Sequence, residues 1–453
     1  PDMPDFRGRG PAPLHRHRRS RLPERCSLRC EAAALLLWPL SLAALLRPGP
    51  LLQLPVASPP RTRAPSGALQ PSPARADRTR IGTLDVPRLG LGTIAWTPAS
   101  AEDDARLAAV AEAALAGGLD FFDTAERYGA KAADLIPAAV GAVFSSVGLP
   151  SPQTYQGGDC ETNLARWAGG ATVGTKFTPK PGRRTAASVV ETCRGSAARL
   201  GVEQIDLYQI HMPDIVQPFR VFGVEDRRDE VFWDGLAECY LSGLARNVGV
   251  SNYGPSLLER AHEHLARRGV PLVCNQIHFN MLYRRQGSLA TIAKGEELGI
   301  STLAYYPLAM GLLTGKLTPS GLRDKYDLRS AELLRYLVGG KGSGFPNTAG
   351  DIPRGGISKL IEVLWEVAER NDKTPAQVSL NWVICKGAIP IPGASSVAQV
   401  EDNMGALGWR LPSEDVDRLD AAADELGFEF RGSGFQTADS KFVGYGFEKW
   451  RLD

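Results

Sequence analysis

The chain predicts an α/β fold, a (β/α)8 TIM barrel preceded by a short hairpin and a disordered N-terminal leader. Three observations carry this. Eight short apolar runs alternate with amphipathic stretches from residue 80 onward, the pattern of βαβ units that build a parallel sheet. Glycines punctuate the ends of the amphipathic stretches. The first 80 residues have a different composition from the remainder.

The leader, residues 1–80, holds 14 of the 33 prolines, 14 Arg, no Lys and five acids, so it carries +9 and the remainder −7 of the total of +2. Such a Pro- and Arg-rich segment cannot bury enough apolar surface to offset its ordering entropy. Within it, residues 32–46 read AAALLLWPLSLAALL, short of the roughly 20 residues of a membrane span and interrupted by Pro39. A basic region, an apolar run and then small residues resemble a secretory signal peptide. Residues 47–80, rich in Arg, Ser, Ala and Pro, resemble a plastid transit peptide. Together they predict a bipartite targeting leader, plastid localisation and no membrane span in the mature protein. The alternatives are an upstream region that is not genuine protein sequence, and a cytoplasmic location. The acidic body offers no general basic footprint for nucleic acid. The seven cysteines contain no CxxC and fit neither a disulfide framework nor a zinc site, so free thiols and no metal are expected.

A hairpin is expected at 80–88, and strands at 89–93, 119–124, 172–177, 206–211, 247–252, 272–278, 301–307 and 388–392. Ser100 with Asp103 suggests a capping box before a helix over 102–116, which Gly117 and Gly118 stop. Gly201, Gly243, Gly269, Gly299 and Gly387 each follow a helical stretch and precede a strand, as C-terminal caps do. Thr374–Pro375 opens the helix before the last strand, and Ser413 opens a final helix to about residue 426. Two segments break the rhythm: an insertion at 130–160, and a long Gly- and Pro-containing excursion at 309–356. The expected organisation is therefore a leader (1–80), a barrel (81–426) and a C-terminal tail (427–453).

The strand ends carry reactive side chains. The second strand delivers Asp123, with Tyr128 five residues on; the third ends at Lys176, the fourth at His211, and the fifth at Ser251 and Asn252, while the sixth carries Gln276. In a (β/α)8 barrel these ends converge on one mouth, where active sites lie. Taken singly, each has a structural reading: a helix cap for Asp123, rim packing for Tyr128, a solvated Lys176, a core His211. Their recurrence on successive strands favours a site.

The stretches GLDFFDTAERYG, GTKF, IDLYQIHMP, GVSNY, NQIHFN, AYYPLAMGLLTGK and IPIPGASSVAQVEDNMGALGW resemble, in order, the aldo-keto reductase superfamily over about residues 81–426, and look closest to its plastid-type plant and algal members. The resemblance implies a reductase of aldehydes or ketones using NADPH, with NADH as the alternative. It implies a catalytic tetrad of Asp123, Tyr128, Lys176 and His211, with Tyr128 as proton donor. Lys176 would lower the phenol pKa and Asp123 would hold Lys176 charged, while His211 would polarise the carbonyl. Ser251, Asn252 and Gln276 fall on the positions that hold the nicotinamide carboxamide, and Tyr305 on the ring that stacks on the nicotinamide. Pro307, Leu308, Gly393, Ser395, Gln399 and Asn403 fall on further cofactor contacts. Relatives often carry Lys or Arg near position 395; this chain has Ser395 and Ser396, and Arg410 is a distant substitute. Met212 stands where Trp often follows the histidine. The rival reading is a non-catalytic, cofactor-binding barrel serving as a regulatory or redox-sensing subunit. Substrate identity would be set by 212–230, 309–356 and the tail.

Overall fold

The computed structural model describes residues 72–129, 158–180, 183–214, 228–284, 287–324, 328–341 and 351–428. The leader through residue 71, most of the 130–160 insertion and the tail from residue 429 lie outside the described residues.

A two-stranded antiparallel hairpin, β1 (Arg78–Ile81) and β2 (Leu84–Pro87), precedes eight parallel strands. These are β3 (Leu91–Gly92), β4 (Phe121–Asp123), β5 (Thr172–Phe177), β6 (Ile205–Ile210), β7 (Ala245–Ser251), β8 (Leu272–His278), β9 (Ser301–Tyr305) and β10 (Ala388–Ile391). Each pairs with its sequence neighbours. Residue Gly92 bridges Gly393 in parallel, and the amides of Gly90 and Gly92 donate to the carbonyls of Pro390 and Pro392 at 2.9 Å, so β3 meets β10 and the barrel closes. Glycine permits this seam: a Cβ on Gly90 would stand 2.5 Å from Ile391 Cδ1, inside van der Waals contact. The predicted strands are all present; their bounds shift by up to two residues at each end, and the hairpin begins at Arg78 rather than residue 80.

The hairpin fills the N-terminal end of the barrel. Ile81, Leu84 and Val86 are buried with Phe121, Leu207, Val273, Leu303, Ile389 and Ile391. The amide of Thr83 donates to Asn247 Oδ1 at 3.0 Å, and Ser301 Oγ donates to the Arg80 carbonyl at 3.2 Å. Residues 72–80, which composition assigns to the leader, belong to this arrangement: Pro73–Ala76 is helical, Asp77 pairs with Arg410 at 2.7 Å, and Arg78 pairs with Asp85 at 2.8 Å. With the N-terminal end plugged, the C-terminal strand ends form the accessible mouth.

The helix caps follow the sequence signals, with one change. Ser100 Oγ accepts from the Asp103 amide, but the Asp103 carboxylate accepts from the Ala99 amide rather than closing the box on Ser100. Thr374 and Gln377 cap each other reciprocally. Gly201, Gly243, Gly269, Gly299 and Gly387 all take positive φ, the left-handed region that ends a helix. A helix not read from the sequence, Asp159–Trp167, follows the insertion. The 309–356 excursion is structured where described: a 3-10 turn (Ala309–Thr314) and helices Pro319–Arg323 and Leu328–Val338. Its Leu312, Leu333, Tyr336 and Leu337 share a core with Phe279 and Trp382.

Candidate active site

Asp123 ends β4 and Lys176 lies on β5, where parallel pairing brings them together. Lys176 Nζ is 2.7 Å from both Asp123 carboxylate oxygens and donates to the Thr124 carbonyl at 2.8 Å. Lys176 is fully buried and Asp123 nearly so. Burial pulls the Lys176 pKa below its ordinary value while the Asp123 charge pulls it back up. The three ammonium N–H groups are thereby all used.

Tyr128 follows β4 and packs beside these groups. Lys176 Nζ is 5.2 Å from its ring centroid, and the His211 ring meets it edge-on at 5.8 Å. The sequence reading has Lys176 depress the phenol pKa. In this arrangement burial, followed by the Asp123 charge, instead pushes Tyr128 well above its usual value. Burial, and the charges of Lys176 and Arg127, hold His211 well below its ordinary pKa, so its imidazole is neutral. Tyr128 and His211 each keep a partly exposed surface at the mouth; the protein packed around their titrating atoms outweighs it.

Thr178 Oγ1 lies 3.2 Å from His211 Nδ1, a contact sequence reasoning missed. Thr178 is itself fixed: its amide donates to Glu126 Oε1 at 2.7 Å and its carbonyl accepts from Arg183 Nη2 at 2.7 Å. The signal was the acid three residues after Asp123 in DTAERYG.

Ser251 and Asn252, at the end of β7, join the same network. Ser251 Oγ donates to the Gln276 carbonyl at 2.7 Å; Asn252 Nδ2 donates to the His211 carbonyl at 2.9 Å. Asn252 takes a φ of 64°, a conformation asparagine tolerates better than most residues. Gln276 Nε2 donates to Asp123 Oδ1 at 2.8 Å, which ties this residue to the carboxylate. Tyr305 Oη donates to Asn252 Oδ1 at 2.6 Å, and His278 stacks on the Tyr305 ring at 5.5 Å and 9°. Past Tyr305 the backbone turns sharply, with positive φ at Tyr306, Ala309 and Met310. Pro307 and Leu308 lie within this turn, and Leu308 packs on the same cluster as Tyr128 and Trp96.

The remaining sequence-selected residues form a second cluster beyond β10. Gly393 bridges Gly92. The Ser395 amide and hydroxyl meet Gln399 Oε1 at 2.7 and 3.1 Å, and Ser396 caps the helix Val397–Met404. Trp96 Nε1 donates to the Ala394 carbonyl at 3.0 Å. Asn403 is buried and its Nδ2 has no hydrogen-bond partner. A buried unpaired donor is costly, and a bound nucleobase or ribose would satisfy it. Arg410 is not at this cluster; both its terminal nitrogens are on Asp77 at 2.7 Å.

The aldo/keto reductase family profile matches residues 88–424, and every element of the site lies within that span. The chain belongs to the aldo/keto reductase family. It is 34% identical over 365 residues to the chloroplastic pyridoxal reductase of Arabidopsis thaliana, covering 80% of this chain and 89% of that one. Aldo-keto reductase str7 of Strobilurus tenacellus is 27% identical over 76% of this chain and 88% of its own. Among solved structures, the glycerol dehydrogenase of Gluconobacter oxydans superposes with a TM-score of 0.55 at 23% identity over 78% of this chain and 96% of that one. A Bombyx mori aldo-keto reductase in complex with NADP gives 0.51 at 21% identity over 76% and 92%. This aldo/keto reductase is thus an NAD(P)H-dependent oxidoreductase of small carbonyl compounds on a (β/α)8 barrel. Among its described residues no helix is long and apolar enough to cross a membrane.

Proposed function

We propose that this reductase converts aldehydes or ketones to alcohols with NADPH, and that Tyr128 is the general acid. The observation that carries this reading is the packing of Tyr128 against Lys176 and His211 at the mouth. A reduced nicotinamide, when bound, supplies the hydride to the carbonyl carbon. Tyr128 Oη gives its proton to the carbonyl oxygen, so the substrate gains one hydride and one proton and leaves as the alcohol. The phenol, whose pKa burial raises, is protonated at neutral pH and gives up its proton as the carbonyl oxygen becomes basic. Neutral His211 donates a hydrogen bond to the same oxygen, and Thr178 at Nδ1 orients the imidazole.

Ser251, Asn252 and Gln276 would hold the carboxamide, Tyr305 would support the nicotinamide face, and Pro307 and Leu308 would line the path between the two clusters. Gly393, Ser395, Gln399 and Asn403 would hold the adenosine end, where Asn403 Nδ2 awaits an acceptor. NADPH is preferred over NADH in this reading. The likeness to a relative named for pyridoxal reduction makes an aromatic aldehyde the first substrate to try. The basic leader, together with that chloroplastic relative, supports a plastid protein whose barrel and short tail remain after processing upstream of Ser72.

The test is steady-state oxidation of NADPH with 4-nitrobenzaldehyde and pyridoxal, beside a cofactor titration. Turnover that depends on aldehyde supports the reading. Tight cofactor binding without turnover of any carbonyl in a panel would favour the regulatory-subunit reading.

A further inference from the structure

The residues after β10, GASSVAQVEDNM, contain no Lys or Arg and carry the acids Glu401 and Asp402. If they hold the adenosine end of NADPH, as proposed above, the doubly charged 2′-phosphate needs a cation from elsewhere. Ser395 cannot compensate through its own donors, because its amide and hydroxyl are both directed to Gln399 Oε1.

We propose that Arg106, on the first barrel helix (Ala101–Ala116), reads the 2′-phosphate and sets cofactor preference. Its Nη1 donates to the Ser395 carbonyl, and its Nη2 donates to Asp103 Oδ1 at 2.9 Å. Closure of the barrel makes this contact: β3 and β10 are neighbours at the seam, so the helix that follows β3 leans on the loop that follows β10. Trp96, on the same side, fixes that loop through Ala394. A guanidinium has five N–H donors. Two are used here, which leaves donors in the planar fork that suits a phosphate. The side chain is 43% exposed, open to a ligand approaching from solvent.

Two other cations among the described residues are paired with carboxylates. Arg410 forms a two-point pair with Asp77. Lys316 Nζ is 2.8 Å from Asp402 Oδ2, and Asp402 also accepts from Thr374 and Gln377, so an anion drawn to Lys316 meets that carboxylate's charge as well. Asp103, which pairs with Arg106, tempers the attraction and makes the preference moderate rather than absolute.

The experiment measures dissociation constants of NADPH and NADH by tryptophan-fluorescence quenching, in wild type and in Arg106→Gln, Arg106→Lys and Lys316→Gln. Adenosine 2′,5′-bisphosphate and 5′-AMP serve as probes that differ only in the phosphate. Arg106→Gln should weaken NADPH and the bisphosphate by about ten- to a hundredfold, the loss of a charge-assisted bond. NADH should change by less than about twofold, which also shows that the variant is folded. Arg106→Lys should fall between, and the salt dependence of NADPH binding should become shallower in Arg106→Gln. Equal effects on both cofactors, no effect, or discrimination lost in Lys316→Gln instead would overturn the assignment. If wild type binds neither cofactor, the cofactor reading itself fails, a result distinct from a wild type that binds both while Arg106→Gln leaves the preference intact.

Discussion

Lys176 and Asp123 face each other across β5 and β4 with Nζ 2.7 Å from both carboxylate oxygens, and neither reaches solvent to any useful extent. Burial lowers the Lys176 pKa and the Asp123 charge opposes that loss, so removing either partner strands the other in a place water does not reach. The phenol beside the pair stays protonated, because burial and then the Asp123 charge raise its pKa.

Tyr128→Phe should lower kcat for carbonyl reduction by about 10²–10⁴-fold, the usual worth of a positioned general acid, with cofactor affinity nearly unchanged. The ring remains to pack against His211, and only the hydroxyl that carries the proton is lost. A variant keeping more than about a tenth of the wild-type rate would exclude Tyr128 as the donor.

Lys176→Met should abolish activity and destabilise the fold by about 3–5 kcal/mol, because it strands the buried Asp123 carboxylate. Thermal unfolding checks the second effect. Adding Asp123→Asn should restore much of the stability without restoring activity. If the double variant is no more stable than Lys176→Met, the stranded charge is not the cause.

The acid limb of the stability profile should depend on His278. Burial lowers its pKa from 6.5 to about 3. The folded chain therefore binds fewer protons than the unfolded chain between these values. Stability from this group is complete above pH 6.5 and falls by about 1.4 kcal/mol per unit as pH drops toward the folded value. His278→Phe preserves a ring between Tyr283 and Tyr305 and should give a shallower loss between about pH 6 and 4 in urea titrations. Identical slopes in both proteins would remove His278 from the acid response.

A chain beginning at Ser72 should match the full chain in unfolding midpoint and turnover. One beginning at Thr83 should be less stable by at least about 2 kcal/mol, since it loses buried Ile81 along with β1 and the Asp77 and Arg78 ion pairs. Equal stability of the two chains would show that the hairpin's first strand is dispensable.

Much of this protein is legible along the chain. The period of apolar runs, the glycines that end helices and the polar residues at strand ends are local signals, because each arises from backbone geometry or from one residue's position on its own strand. They suffice to find eight strands and to name Asp123, Tyr128, Lys176 and His211 as neighbours at one mouth. Parallel pairing of adjacent strands does the rest. The signal fails where composition and packing disagree. Residues 72–80 resemble leader by composition, yet Asp77 and Arg78 find partners at Arg410 and Asp120, far along the sequence.

What the tertiary structure alone decided are the contacts across the closing seam and the electrostatics inside the mouth. No spacing rule connects Arg106 to Ser395, Trp96 to Ala394 or Thr178 to His211; barrel closure and strand register create them. Nor could sequence give the direction of the Tyr128 shift. A lysine five residues or fifty away on the chain has the same charge, but its influence on a phenol depends on the folded distance and on the countercharge beside it. Here the Asp123 carboxylate sits directly on the ammonium, and burial is the first cause of the raised Tyr128 pKa.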